Sequence, residues 1–271
     1  MVSWLVWTCY TMDLAATQTV NEERMVENLH ISKGGTDGSV GENEEVNTYD
    51  MRFAKGSTIV IYGPSASGKT YRVADILRVK NQLIKNGHTI KSVIYCYAAW
   101  QPIYSILKKE NTVTQWINYM PSNEQFIKLV KPQMKYGSIC VIDDFMTSIS
   151  KDLVEMVCVS ARHYNCTLFI LFQSLFPANP LARQISLNAK YLIISKNPRE
   201  NFQVSYVLRQ VVPDHYRSIV QAYYDATSRP YGYLLIDLTQ QVSDDLRFRT
   251  NILPHEFPIV IYRPIKNDIR K

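Results

Sequence analysis

The segment Gly63-Pro64-Ser65-Ala66-Ser67-Gly68-Lys69-Thr70 fits the pattern G-x-x-x-x-G-K-[ST] at every fixed position, and each residue type has a chemical reason to stand there. Glycines let the backbone fold tightly, so that successive N–H groups point inward at phosphate oxygens, and a following helix adds the positive end of its dipole. Lys69 then reaches the β- and γ-phosphates of a nucleoside triphosphate, and the Thr70 hydroxyl ligates Mg²⁺. Gly63, Pro64, Ser65, Ala66, Ser67, Gly68, Lys69 and Thr70 are the candidate ATP-binding residues, with a structural glycine turn as the plainer alternative.

A second constellation lies at Asp143-Asp144, which closes the apolar run Ile139-Cys140-Val141-Ile142. A buried strand that ends in carboxylates delivers them to the sheet edge where open α/β sheets bind ligands. Asp143 is the candidate Mg²⁺-side acid, and Asp144 the group that orients or deprotonates an attacking water. Asp capping a following helix is the plainer account. The next apolar run, Thr167–Phe172, ends in Gln173-Ser174, and a neutral amide at the same edge is a candidate γ-phosphate sensor or water holder; strand ends are also polar for ordinary reasons. Arg162 and His163 close the preceding helical stripe, where a cation complements the helix dipole. Arg162 is equally a candidate arginine finger offered to a neighbouring subunit. Trp100-Gln101 follows another apolar run, and a Trp in such a loop reads either as a subunit or base contact or as plain packing.

These residues need a scaffold that brings them to one place. Five nearly all-apolar runs, Thr58–Tyr62, Ser92–Tyr97, Ser138–Ile142, Thr167–Phe172 and Tyr191–Ser195, read as strands buried on both faces. Helical stripes separate them: Val73, Ile76, Leu77, Leu83 and Ile84 form one, and Leu153, Val154, Val157, Cys158 and Ala161 another. Alternation of this kind predicts a three-layer α/β domain with parallel strands joined by right-handed crossovers. The span between Thr70 and Asp143 holds a whole extra strand, which points to the RecA-like division of P-loop proteins over the kinase and GTPase division. Beyond Pro213 a helix is expected around His215–Ala226, then strands at Gly232–Asp237 and Phe257–Tyr262. Together they form a C-terminal β extension whose many tyrosines sit at half-buried positions or stack on nucleic-acid bases.

Composition narrows the classes. The chain has 271 residues, 46% hydrophobic and 20% charged, which excludes a disordered tail protein, a collagen-like fibre and a disulfide-stapled mini-domain. The net charge of +6 conceals a division at Asp50: residues 1–50 carry nine acids and two bases (−7), and the remainder 28 bases and 15 acids (+13). A basic body fits a phosphate-rich partner. The expected organisation is an acidic, disordered leader over 1–50 and one P-loop domain over 51–271. The apolar patch at Trp4, Leu5, Val6, Trp7 and Tyr10 is too short to span a bilayer and lacks the basic start of a signal peptide. It reads as leader, as an interfacial anchor, or as sequence upstream of a start at Met12 or Met51. The five cysteines (Cys9, Cys96, Cys140, Cys158, Cys166) show no metal or CxxC spacing and read as buried, reduced thiols.

Taken together, GPSASGKT (63–70), VIYCYAAWQPIY (93–104), CVIDDF (140–145), ARHYNCTLFILFQS (161–174), RQISLNAKYLIISKNPRE (183–200) and PYGYLLIDL (230–238) resemble the FtsK/HerA superfamily, specifically its viral DNA-packaging ATPases of the poxvirus-like and Polinton/adenovirus-like branch. The resemblance implies a Mg²⁺-dependent ATPase that forms a homo-oligomeric ring and moves double-stranded DNA into a capsid. It further implies a portal or vertex partner and a place in the infected cell, in nucleus or viral factory, or on the virion. It carries Lys69, Thr70, Asp143, Asp144 and Gln173 over as the nucleotide machinery, and Arg162 as the finger with Arg183 as its rival. The second acid of this class is more often Glu, so Asp144 reaches one methylene less far. Arg183, Lys190, Lys196 and Arg199 become candidates to face DNA phosphates. A small-molecule P-loop kinase and a non-hydrolysing DNA-binding subunit are the competing readings.

Overall fold

The computed structural model describes residues 50–145, 149–175 and 179–264. The acidic leader, its apolar patch and Cys9 lie outside the described residues. Within them the strands are β1 (Thr58–Tyr62), β2 (Ser92–Tyr97), β3 (Gln115–Ile117), β4 (Ser138–Asp143), β5 (Cys166–Phe172), β6 (Tyr191–Ser195), β7 (Tyr233–Asp237), β8 (Phe248–Thr250) and β9 (Val260–Tyr262). The helices are α1 (Lys69–Arg78), α2 (Lys80–Leu83), α3 (Pro102–Lys109), α4 (Asn123–Val130), α5 (Lys151–Glu155), α6 (Ala161–His163), α7 (Pro180–Asn188), α8 (Asn201–Val211) and α9 (Tyr216–Ala226). A π-helical stretch, Met156–Ser160, joins α5 to α6.

One nine-stranded sheet runs through the molecule in the order β3-β2-β4-β5-β1-β6-β7-β8-β9. From β3 to β6 every pairing is parallel, and β7, β8 and β9 continue the sheet antiparallel. All residues of β1, β4, β5 and β6 are buried, as expected for strands covered by helices on both faces. Alternate side chains serve two cores. Ile59, Ile61, Val141, Phe169 and Leu171 pack with Val73, Ile76 and Leu77 of α1 and Ile103 and Leu107 of α3. Val60, Ile142, Leu168 and Ile170 pack with residues of α4, α5, α7, α8 and α9 on the other face.

The chain is therefore a mixed α/β, three-layer domain of the RecA-like P-loop class, with its C-terminal β extension built into the same sheet. Its defining feature is that β5 lies between β1 and β4. Because β1, β4 and β5 are parallel, the loop after β1, the acids ending β4 and the residues after β5 all emerge at one edge. Two expected elements are shorter than their sequence pattern. The first helical stripe breaks at Val79, and Ile84 is extended and bridges to Phe53, so the helix does not run to Ile84. The last strand begins at Val260 and not Phe257, since Pro258 offers no ladder donor. Cys96, Cys140 and Cys166 are buried free thiols, whereas Cys158 is partly exposed on the π-helical stretch.

Candidate functional site

The loop after β1 turns directly into α1. Gly68 stands at its N-cap with φ +82, a left-handed conformation suited to glycine. At Gly63 a Cβ would lie 2.5 Å from Ser67 Oγ and 2.9 Å from Ser195 Cβ, so only glycine permits this close approach. Ser67 N–H donates to the Pro64 carbonyl at 3.2 Å, while Ser67 Oγ is buried with no hydrogen-bond partner. A buried hydroxyl left unpaired inside a loop at a helix N-terminus fits an oxygen-rich anion, which would supply its missing partner. Lys69 Nζ reaches across the loop to the Gly63 and Pro64 carbonyls at 2.6 and 2.8 Å. Burial pulls its ammonium below the usual lysine range, with Asp143 and Asp144 acting in the opposite direction.

The two halves of the site meet at Asp143. Its Oδ2 accepts from Thr70 Oγ1 at 3.0 Å, from the Tyr95 hydroxyl at 2.8 Å and from the Tyr104 hydroxyl at 2.8 Å. Burial raises the Asp143 carboxyl above the usual range, the three hydroxyls favour its ionised form, and neighbouring Asp144 opposes it. A hydroxyl and a carboxylate paired beside a phosphate cradle are the oxygen donors that Mg²⁺ takes when phosphates complete its shell. No cluster of three or more His, Cys, Asp or Glu ligands occurs among the described residues. One residue further, Asp144 adopts φ +65, and its Oδ1 accepts from Gln173 Nε2 at 2.8 Å. The sheet order thus brings the acid and the amide together, although 29 residues separate them in the chain.

Residues outside the phosphate loop and the two acids complete the cleft. Arg72, 5% exposed, donates to Ser195 Oγ at 3.1 Å and to the Tyr231 carbonyl, and its guanidinium sits 4.1 Å over the Tyr233 ring. Tyr233 donates to Glu256 Oε2 at 2.6 Å. The C-terminal extension is thereby tied to the phosphate loop, and together they enclose a cleft of about 910 Å³ running from Ser65 and Lys69 past Asp143, Asp144 and Gln173 to Tyr231 and Phe257. That volume suits a nucleotide-sized ligand.

No family model and no curated protein matches this chain. Among solved structures it is similar to the genome packaging NTPase B204 of Sulfolobus turreted icosahedral virus 2, determined with ATP-gammaS, at 19% identity and a TM-score of 0.46 over 77% of this chain and 98% of that one. It is also similar to the cytoplasmic domain of the type VII secretion ATPase EccC of Thermomonospora curvata (11%, TM-score 0.43, 78% of this chain and 24% of that one). A KaiC-like protein of Pyrococcus horikoshii is a third (10%, TM-score 0.41, 78% and 91%). With every TM-score below 0.5, none of the three bears on what this chain does.

The remaining candidates fall elsewhere. Arg162 lies in α6, just before β5, whereas Gln173 follows β5. Seven strand residues separate the two edges by about 20 Å, so Arg162 cannot reach the cleft of its own chain. Arg183 is exposed on α7 and lines a separate cleft of about 360 Å³ with Leu175 and Arg247. Lys196 and Arg199 are exposed and follow β6 at the nucleotide edge, while Lys190 precedes β6 at the opposite edge. These four cations form no single stripe along one edge. Trp100, 48% exposed, packs in an aromatic group with Tyr97, Tyr104 and Trp116, at centroid distances of 5.3, 5.5 and 5.6 Å. Of the C-terminal tyrosines, Tyr223 and Tyr233 are fully buried, and Tyr224 and Tyr231 are exposed.

The sequence held a signal for only part of this. Tyr95 and Tyr104 lie in a run read as strand and loop, and nothing in their spacing announces that both hydroxyls converge on Asp143. Arg72 sits in the second turn of a helix, where an Arg ordinarily faces water.

Proposed function

We propose that the chain is a Mg²⁺-dependent ATPase that works as a homo-oligomeric ring and drives double-stranded DNA into a viral capsid. The observation that carries the catalytic half is the meeting of Thr70 and Asp143 at 3.0 Å beside the unpaired Ser67 hydroxyl, with the Asp144–Gln173 pair at 2.8 Å on the same edge. The loop N–H groups and Lys69 bind the β- and γ-phosphates and stabilise the charge that shifts between them during transfer. Thr70 and Asp143 would hold Mg²⁺, which when bound neutralises phosphate charge. Asp144 accepts the proton of the attacking water, and Gln173 orients that water and the carboxylate together. Asp144 has a left-handed backbone, and its side chain accepts from Gln173.

The multimeric half rests on Arg162. Arg162 is assigned as a finger acting in trans on a neighbouring copy by the resemblance, and its place at the far edge of its own sheet is compatible with that role. DNA as cargo and a capsid portal or vertex as partner rest on the resemblance and on the basic body, whose net +13 suits a polyanion. Among the described residues no helix is long and apolar enough to cross a membrane. Product analysis tests the reading: ATP with Mg²⁺ should give free phosphate, and Lys69→Ala should abolish it. Transfer of the phosphate to a nucleoside acceptor would replace the reading with a kinase.

A further inference from the structure

We propose that the cleft contains a nucleobase subsite, in which the ring of Tyr231 is the stacking face for the base of the bound triphosphate; the inference rests on the triphosphate reading above. Its direction follows from the sheet order. The acids and Gln173 close β4 and β5, on one side of β1, and the phosphate bond to be cleaved must face them. A triphosphate laid along the loop therefore extends its nucleoside to the other side of β1, over β6 and β7. There the cleft wall is the turn leading into β7, which carries Tyr231.

Tyr231 is held as a platform would need to be held. Its backbone sits at φ +61, a left-handed conformation that is exceptional for a bulky residue and persists only where surrounding contacts enforce it. The enforcing contact is Arg72, which clamps the Tyr231 carbonyl, braces on Ser195 and stacks on Tyr233. The ring lies directly against the phosphate loop: a Cβ at Gly68 would stand 3.0 Å from Tyr231 Cδ1. Yet 68% of the residue is exposed to the cleft and to solvent. A strained backbone, a buried clamp and an open aromatic face beside a phosphate loop together describe a surface kept ready for a flat ring. Phe257, 52% exposed, adds to the aromatic character of the same end of the cleft, whereas the end at Lys69 and Asp143 is polar. Stacking on an aromatic side chain needs no base-edge partner and suits any nucleobase π-face.

The test compares a ligand that has a base with one that lacks it. Binding of ATP and of inorganic tripolyphosphate, each with Mg²⁺, is measured by calorimetry on the full chain. The proteins are wild type, Tyr231→Phe, which keeps the π-face, and Tyr231→Leu, which keeps apolar bulk against Gly68 without it. Tyr231→Leu should bind ATP about tenfold more weakly or worse while holding tripolyphosphate within about twofold of wild type, and Tyr231→Phe should match wild type for both. Unchanged ATP affinity in Tyr231→Leu overturns the subsite, as does an equal loss for both ligands, which would make the ring a prop for the loop. A wild-type protein that binds neither ligand overturns the triphosphate reading itself.

Discussion

Replacing Arg72 with Met removes a buried side chain that joins the phosphate-loop helix to the C-terminal extension, and the structure sets the size of the effect. Two charge-assisted hydrogen bonds, to Ser195 Oγ and to the Tyr231 carbonyl, contribute about 1.5–3 kcal/mol each. The desolvated contact over the Tyr233 ring adds about 2 kcal/mol. Against this stands the cost of burying a guanidinium, several kcal/mol, which also draws the Arg72 pKa below its ordinary value. Met restores most of the aliphatic volume but leaves the Tyr231 carbonyl and the Ser195 hydroxyl without their donor, at about 1–3 kcal/mol. The net expectation is a loss of about 2–4 kcal/mol, which at about 2–4 °C per kcal/mol lowers Tm by about 5–15 °C. Thermal unfolding followed by circular dichroism reads it directly. Arg72→Lys should recover little, because an ammonium cannot reproduce the fork that spans two acceptors and a ring. A Tm for Arg72→Met within about 2 °C of wild type would show that the buried charge costs as much as its contacts return, and the clamp would lose its energetic basis.

Gly68→Ala forces a Cβ into a left-handed backbone and to 3.0 Å from the Tyr231 ring; about 1–2 kcal/mol of stability and at least about tenfold in ATP affinity should be lost, read by denaturant unfolding and nucleotide titration. Asp144→Asn keeps an acceptor for Gln173 but no base, so turnover should fall about 10²–10⁴-fold while ATP affinity changes by less than about threefold, read by steady-state kinetics and calorimetry. Arg162→Ala should leave ATP binding intact and abolish turnover, and mixing it with Lys69→Ala should restore part of the activity at interfaces that pair one intact loop with one intact finger.

The parallel core was legible because its strands are long and apolar enough to be buried on both faces. Thr58–Tyr62, Ser92–Tyr97 and Tyr191–Ser195 begin and end where the pattern placed them. Gln115–Ile117 and Phe248–Thr250 were not legible, since three residues carry no period and become strands only because a neighbour offers its edge. The second helical stripe does run as a continuous helical segment, with Cys158 partly exposed on its π-helical middle. At the site, the phosphate loop, the two acids and Gln173 stand at strand ends, and parallel topology alone carries them to one edge. The hydroxyls of Tyr95 and Tyr104, the Arg72 clamp and the Tyr231 face depend on how separate elements pack. Local sequence does not encode that packing.

Phosphate release measured with and without duplex DNA across a salt series tests whether triphosphate turnover at this site is coupled to double-stranded DNA. DNA should stimulate release several-fold at low salt, with the stimulation fading as salt rises and released counterions cease to favour binding; Lys69→Ala should show none. Turnover indifferent to duplex DNA at low salt would rule out that coupling.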